Sequence, residues 1–379
     1  MKLLVVGDIG IIFTYEYVTE IASKFPNCNV DILSFSPRKE ELADRENTLK
    51  ALGCKIFYSP QYKLLKKNKL FYIGIRLGEF FRYRICRRYD VVNVHFPGMD
   101  SLALCFWSTK NMRVVTSLYG SDVLRATKRG LGVIGKLLER SDAVNVASSF
   151  VKEEISKKFN TRFDDKIQIV RYGSTAAEYM SHAIANSSKT ECKKQFGFPE
   201  DRITVLCGYN GSKAQRHIEM LGELQKLSED MRKRIFLVLQ CSYGFSEPYR
   251  KELIDVFSSS QLDGVIVTDF MRGETLANFR NSIDVFLNLQ PTDVLSATMI
   301  EELEAEAVVV KGDWLYYPDL DEAGVYIRSI PTFETLSAEV EDIVVHITEE
   351  KGKTVSNKGV WEILSWKKQY ENWKRIILG

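Results

Sequence analysis

Short apolar runs rich in β-branched residues recur along this chain with helix-length segments between them, and few folds accept that alternation. In the first half the runs are 3–6, 30–35, 55–58, 91–95, 113–118, 143–147 and 167–170; in the second they are 203–207, 235–240, 265–268, 285–289, 307–311 and 325–327. Continuous apolar strands separated by helices call for a parallel sheet covered on both faces. Right-handed crossovers then wind each half into a Rossmann-like layer structure. The predicted fold class is α/β, with two doubly wound parallel-sheet domains in tandem.

A chain of 379 residues suits this division, being too long for one ordinary core and right for two of about 150–200 residues. Residues 172–192 turn small and polar, which marks a hinge. The expected boundaries are 1–175 for an N-terminal domain, 176–357 for a C-terminal domain, and 358–379 for a terminal helix able to pack back on the first domain. Tandem sheets of this kind bind ligands at their carboxyl ends, here expected across a shared interdomain cleft.

Composition narrows the class further. With 45% hydrophobic and 27% charged residues the chain reads as globular and not disordered. Its seven cysteines are scattered without any CxxC spacing, several of them inside apolar runs. That usage fits a reducing compartment and neither a zinc site nor a disulfide framework. The opening MKLLVVGDIGIIF is interrupted by Gly7, Asp8 and Gly10, so it reads as a buried strand ending in a glycine turn and not as a secretory signal. No stretch of 18 apolar residues occurs. A cytoplasmic protein is expected.

Two segments of the second half carry the chemistry. In ITVLCGYNGSKAQRHIEML a strand runs through a glycine-containing turn into a helix. Gly208 and Gly211 permit close backbone approach, and the helix start offers unpaired N–H groups and a partial positive charge. Lys213, Arg216 and His217 stand at the same end, a grouping suited to a diphosphate leaving group. An ordinary helix start with solvated cations is the alternative, and His217 could simply pack there. Neither GxGxxG nor a P-loop pattern is present. In DVFLNLQPTDVLSATMIEELEAEAVVV a Pro-containing loop precedes a helix, and Asp293 and Glu301 lie eight positions apart. Ser296 and Thr298 could meet a phosphate at the helix N-terminus, or Ser296 could be only a cap and Glu301 part of a solvated acidic face.

In the first half, Gly7 to Gly10 are expected to form the first βα turn, close to donor phosphate or acceptor. His95 ends a strand beside a Pro-Gly loop with Asp100 following, and TSLYGSDVL places Tyr119 and Asp122 after another strand. Asp122 is either a cleft-floor carboxylate or a helix cap. His182 and His346 look incidental. The Asp319-Leu320-Asp321 triplet has no convergent His or Glu partners and reads as a solvated turn, so no metal is expected.

Asp293-x7-Glu301 after a strand resembles the E-x7-E element of glycosyltransferase family 4 and its GT-B relatives, with Asp in place of the first Glu and Val294-Leu295-Ser296 where a Gly-aromatic-Gly stretch is common. YNGSKAQRHIE is similar to bacterial surface-polysaccharide transferases, including aminofucose transferases, and Tyr119-Gly120-Ser121-Asp122 resembles the HGSD loop of the same superfamily. The resemblance implies a metal-independent GT-B glycosyltransferase with no cofactor beyond a nucleotide-diphosphate-sugar donor. Asp293 would contact the donor sugar, Glu301 the ribose, and Lys213 and Arg216 the diphosphate. Gly10, Gly208, His217, Ser296 and Thr298 complete the donor set, with Tyr119 on the acceptor side. A general base, if the reaction inverts, would be Asp122, His95 or Asp100. The acceptor would be a lipid-linked or free saccharide in surface polysaccharide assembly. A nucleotide-sugar epimerase or hydrolase, or a non-catalytic binding subunit, are the competing readings.

One further segment bears on the partner. Residues 63–88 carry nine cations (Lys63, Lys66, Lys67, Lys69, Arg76, Arg82, Arg84, Arg87, Arg88) against the single acid Glu79, interleaved with aromatic and aliphatic side chains. Such a segment can lie on an anionic membrane surface, which would make the protein peripheral on the inner face of the plasma membrane. A basic outer helix face is the alternative. No nucleic-acid motif accompanies the charge, so no nucleic acid is expected.

Overall fold

The computed structural model describes residues 1–25, 27–59, 74–75, 77–78, 81, 89–102 and 112–379. The basic segment 63–88 therefore lies almost wholly outside the described residues. The chain divides into two compact units, the first comprising Met1–Gly173 with Trp366–Gly379 and the second Ser174–Ser365.

In the first unit β1 (Lys2–Val6), β2 (Asn29–Ser34), β3 (Lys55–Tyr58), β4 (Val91–His95), β5 (Arg113–Leu118), β6 (Ala143–Val146) and β7 (Ile167–Ile169) form a parallel sheet of order β3-β2-β1-β4-β5-β6-β7. Successive side chains of a strand point to opposite faces. Leu3 and Val5 accordingly enter one buried cluster while Leu4 and Val6 enter another. Both faces are covered, which is why these strands are mainly apolar. The helix Trp366–Leu378 adds Trp366, Trp373, Ile376 and Ile377 to the cluster around Leu3 and Tyr17. Trp373 donates its indole N–H to the Arg171 carbonyl at 2.9 Å, so its one polar atom is satisfied in the interior.

In the second unit β8 (Ile203–Cys207), β9 (Ile235–Gln240), β10 (Gly264–Val267), β11 (Val285–Asn288), β12 (Val308–Gly312) and β13 (Arg328–Ile330) form a second parallel sheet, of order β10-β9-β8-β11-β12-β13. The same alternation holds, with Val285 and Leu287 on one face and Phe286 on the other.

The last strand corrects the sequence reading. Residues 325–327 are apolar but do not pair. Gly324, with φ +67°, ends the helix Pro318–Glu322, and the Val325 N–H returns to the Leu320 carbonyl at 3.2 Å. The Asn357 side chain then takes both backbone groups of Tyr326, so pairing with β12 starts only at Arg328. The Asp319-Leu320-Asp321 triplet is likewise the start of that helix and not a turn.

Strand order reverses at β1/β4 in the first sheet and at β8/β11 in the second. Crevices of this kind, outside the carboxyl ends of strands at a reversal, are where open α/β sheets bind ligands.

Candidate active site

The reversal in the second sheet brings together the loop after β8 and the loop after β11. Gly208 has φ +66°, a conformation that disfavours side chains. A Cβ there would stand 2.9 Å from Gln215 Oε1 and 3.0 Å from His217 Nε2. Gly211 faces the Phe245 side chain, which a Cβ would meet at 2.5 Å. Gln215 accepts from the Tyr209 N–H at 3.1 Å and donates to Gln290 Oε1 at 3.2 Å, and Gln290 donates to the Tyr209 hydroxyl at 3.0 Å. The two loops are thus bonded directly to each other.

The helix His217–Leu224 begins at Arg216, a left-handed residue at φ 62° that gives no side-chain cap. Its first-turn N–H groups are therefore uncapped by Arg216. His217 is fully buried, with Nδ1 3.1 Å from the Tyr249 hydroxyl and Nε2 without a hydrogen-bond partner. Burial pushes its pKa down to about 4. The expected cations contact other groups. Lys213 is three-quarters exposed and 4.0 Å from Glu252, and the Arg216 guanidinium lies 3.7 Å above the Phe333 ring and 3.5 Å from Glu219.

The acidic pair is held firmly. Asp293 is buried, and its Oδ2 accepts from the Tyr317 hydroxyl at 2.8 Å and Asn288 Nδ2 at 3.0 Å. Its Oδ1 accepts from the Val294 N–H at 2.9 Å. This grip shapes the loop in which Leu295 adopts φ +70°. Ser296 caps the helix Ala297–Glu304 by accepting from the Met299 N–H at 3.3 Å. Glu301, in the second turn, is not on a solvated face. Its Oε2 accepts from Arg280 Nε at 3.0 Å, and its Oε1 accepts from the Ser174 hydroxyl at 3.1 Å. Arg280 also reaches Gln240 Oε1 at 2.8 Å, Thr298 Oγ1 at 3.0 Å and Glu302 at 3.4 Å. Glu302 is fully buried, and burial outweighs its arginine partner to raise its carboxyl to about 8. Arg280, Gln240, Asn288, Gln290 and Tyr317 were not singled out from the sequence. The signals were there: Arg280 shares a helix face with buried Ala277 three residues earlier, and Gln240, Asn288 and Gln290 are amides at the ends of apolar strands.

In the first unit the reversal places Gly7 against His95, whose Cβ would be 3.1 Å from a Cβ at Gly7. Asp8 accepts from the Gly10 N–H at 2.7 Å, and Arg45 clasps the Ile9 and Gly10 carbonyls at 2.7 and 2.9 Å. His95 is buried, and burial lowers its pKa to about 3. Its Nδ1 is 2.7 Å from the Tyr119 hydroxyl, and its Nε2 has no partner. Phe96, Tyr119 and Tyr172 form a ring stack with centroid spacings of 3.8 and 4.8 Å. Asp122 accepts from the Tyr119 N–H at 3.1 Å through both oxygens, and burial raises its carboxyl to about 6 despite these backbone donors. Asp100 sits in the single turn Met99–Leu102. Among the described residues no group of three or more His, Cys, Asp or Glu is arranged to hold a metal ion, and no helix is long and apolar enough to cross a membrane.

No protein-family model matches the chain, and a search of curated proteins finds no relative. Solved structures do match along nearly the whole length. Anabaena HepE in complex with UDP and glucose aligns over 99% of this chain and 98% of its own, at 13% identity and a TM-score of 0.74. A glycosyltransferase from Rickettsia africae aligns over 99% and 97% at 13% identity and a TM-score of 0.73. Sucrose-phosphate synthase from Thermosynechococcus elongatus aligns over 99% and 98% at 12% identity and a TM-score of 0.72. Identities this low establish architecture and not chemistry. The two sheets, their all-parallel order and these alignments together give the chain the GT-B fold, the one its glycosyltransferase neighbours share.

Proposed function

We propose that the protein is a glycosyltransferase that moves a sugar from a nucleotide-diphosphate-sugar donor to a saccharide acceptor, lipid-linked in surface polysaccharide assembly. The observation that carries this is the construction of the loop after β8: two glycines where a Cβ would collide, leading into a helix start that Arg216 does not cap, beside a buried, unpaired His217 Nε2. Backbone N–H groups and a helix dipole favour an anion at such a place. HepE, of the same fold, is seen with UDP and glucose.

In this reading the diphosphate lies against Gly208, Gly211 and the helix start, where N–H dipoles stabilise the charge that grows on the leaving group. Lys213 and Arg216 swing from Glu252 and Phe333 to meet it. Glu301, oriented by Arg280, holds the ribose, while Asp293 braces the loop against the donor sugar and Ser296 and Thr298 complete the helix start. Gly10 belongs with the donor set, while Tyr119 and the ring stack belong to the acceptor side. Of the three base candidates, Asp122 suits an inverting step best. A carboxyl near pKa 6 can take a proton close to neutral pH, whereas buried His95, held near 3, is a weak base. The basic segment 63–88 would hold the protein at an anionic membrane where a lipid-linked acceptor resides.

A screen of UDP-, GDP- and dTDP-sugars by thermal shift, followed by transfer to lipid-linked saccharide, tests this. Stabilisation and transfer are expected. Donor turnover without acceptor would favour an epimerase or hydrolase, and binding without turnover a non-catalytic subunit.

A further inference from the structure

Glu301 presents a difficulty for any ribose partner role, because its carboxylate is already occupied. Both oxygens accept hydrogen bonds and the side chain is 3% exposed. The two donors differ in kind. Arg280 is a buried ion-pair partner fixed by Gln240 and Thr298 as well, and pulling it away would strand charge in the interior. The other donor is the neutral hydroxyl of Ser174, a weaker bond of the same chemical type as a ribose hydroxyl.

The position of Ser174 gives the contact its meaning. It is the first residue of the second unit, immediately after Gly173. Its backbone N–H donates to the Leu364 carbonyl at 2.9 Å, next to the place where the chain leaves that unit at Ser365. On the other side of the junction, a Cβ at Gly173 would overlap the Trp366 ring at 2.3 Å. The two chain crossings therefore run side by side, and one of them is tied by a hydroxyl to the candidate ribose carboxylate.

Resting on Glu301 as the ribose partner, we propose that the Ser174 hydroxyl is an intramolecular stand-in for a ribose hydroxyl, so that nucleotide binding displaces it and loosens the first chain crossing, which keeps its backbone bond to Leu364. Nucleotide occupancy is thereby coupled to the segment that links the two units. The exchange replaces one hydroxyl-to-carboxylate bond by another, so its cost is small and its effect local. Removing the competitor tightens nucleotide binding, because the free protein then carries a buried carboxylate oxygen that lacks its donor.

The test is calorimetric titration of UDP, GDP and dTDP into wild type, Ser174→Ala, Glu301→Gln and the double variant, with hydrogen exchange followed at residues 172–176 and 362–366. Ser174→Ala is expected to bind the nucleotide that wild type prefers about threefold to tenfold more tightly. Glu301→Gln is expected to bind it at least tenfold more weakly, with no further effect of Ser174→Ala in that background. Nucleotide should also speed exchange at 172–176 in wild type. Unchanged or weaker binding by Ser174→Ala, with Glu301→Gln still impaired, would overturn the stand-in role and leave the glycosyltransferase reading intact. Full nucleotide affinity in Glu301→Gln, or no nucleotide binding by wild type, would remove both.

Discussion

Arg280 donates from Nε to Oε2 of Glu301 at 3.0 Å, and the two side chains are each 3% exposed. A buried pair of this kind adds little net stability over an apolar pair, but losing one partner strands the other. Arg280→Ala is therefore expected to destabilise the second unit by about 3–5 kcal/mol. Arg280→Lys should recover part of that, since an ammonium cannot reach Glu301, Gln240 and Thr298 together. Urea unfolding followed by fluorescence measures both.

The glycine loop makes a separate demand. At φ +66°, Gly208→Ala adds a strained conformation and pushes on Gln215 and His217. A cost of about 1–3 kcal/mol in stability is expected from the strain. Nucleotide affinity should fall at least tenfold, because the backbone can no longer approach a phosphate. Titration of UDP, GDP and dTDP into the variant decides whether the loop matters for binding beyond folding.

Acid should expose the buried histidines. His217 and His95 are held neutral, with pKa values pushed down by burial to about 4 and about 3. Their contribution is fully present above about pH 6.5, where the unfolded histidine is also neutral, and is lost as pH falls toward the folded values. Glu302 and Asp122, shifted upward, pull the other way over part of the same range. The readout is therefore a difference. The stability gap between wild type and His217→Gln is expected to shift against wild type by about 1.4 kcal/mol per pH unit between roughly pH 6 and 4.5, measured by urea unfolding at each pH. A pH-independent gap would mean His217 is not held neutral.

Much of this architecture is legible in the amino-acid sequence, for a specific reason. Strands covered on both faces read as near-continuous apolar runs, and β3, β4, β5, β8 and β9 coincide with the runs 55–58, 91–95, 113–118, 203–207 and 235–240. Residues 325–327 misled because composition cannot distinguish a strand from an apolar link pinned by Asn357. The site is harder to read. Spacing shows that Asp293 and Glu301 share a loop and its helix, but not that Asp293 is spent on Tyr317 and Asn288 or that Arg280 claims Glu301. The contacts with Tyr317 and Arg280 join residues 24 and 21 positions apart, and no local pattern encodes them.

The basic segment gives a prediction that depends on charge alone. Neutralising Lys66, Lys67, Arg82, Arg87 and Arg88 should weaken sedimentation with phosphatidylserine-containing liposomes, each cation contributing on the order of 1 kcal/mol. The loss should grow smaller as salt rises, because screening weakens wild-type binding as well. Equal sedimentation of both proteins at low salt would remove membrane attachment.

The most direct test is a crystal structure of the full chain with the nucleotide diphosphate that stabilises it best. Phosphate density against the Gly208–Gly211 backbone and the start of the helix His217–Leu224, with a ribose hydroxyl on Glu301, is the expected result. Diphosphate bound away from this loop, or a loop left empty at saturating nucleotide, would contradict it.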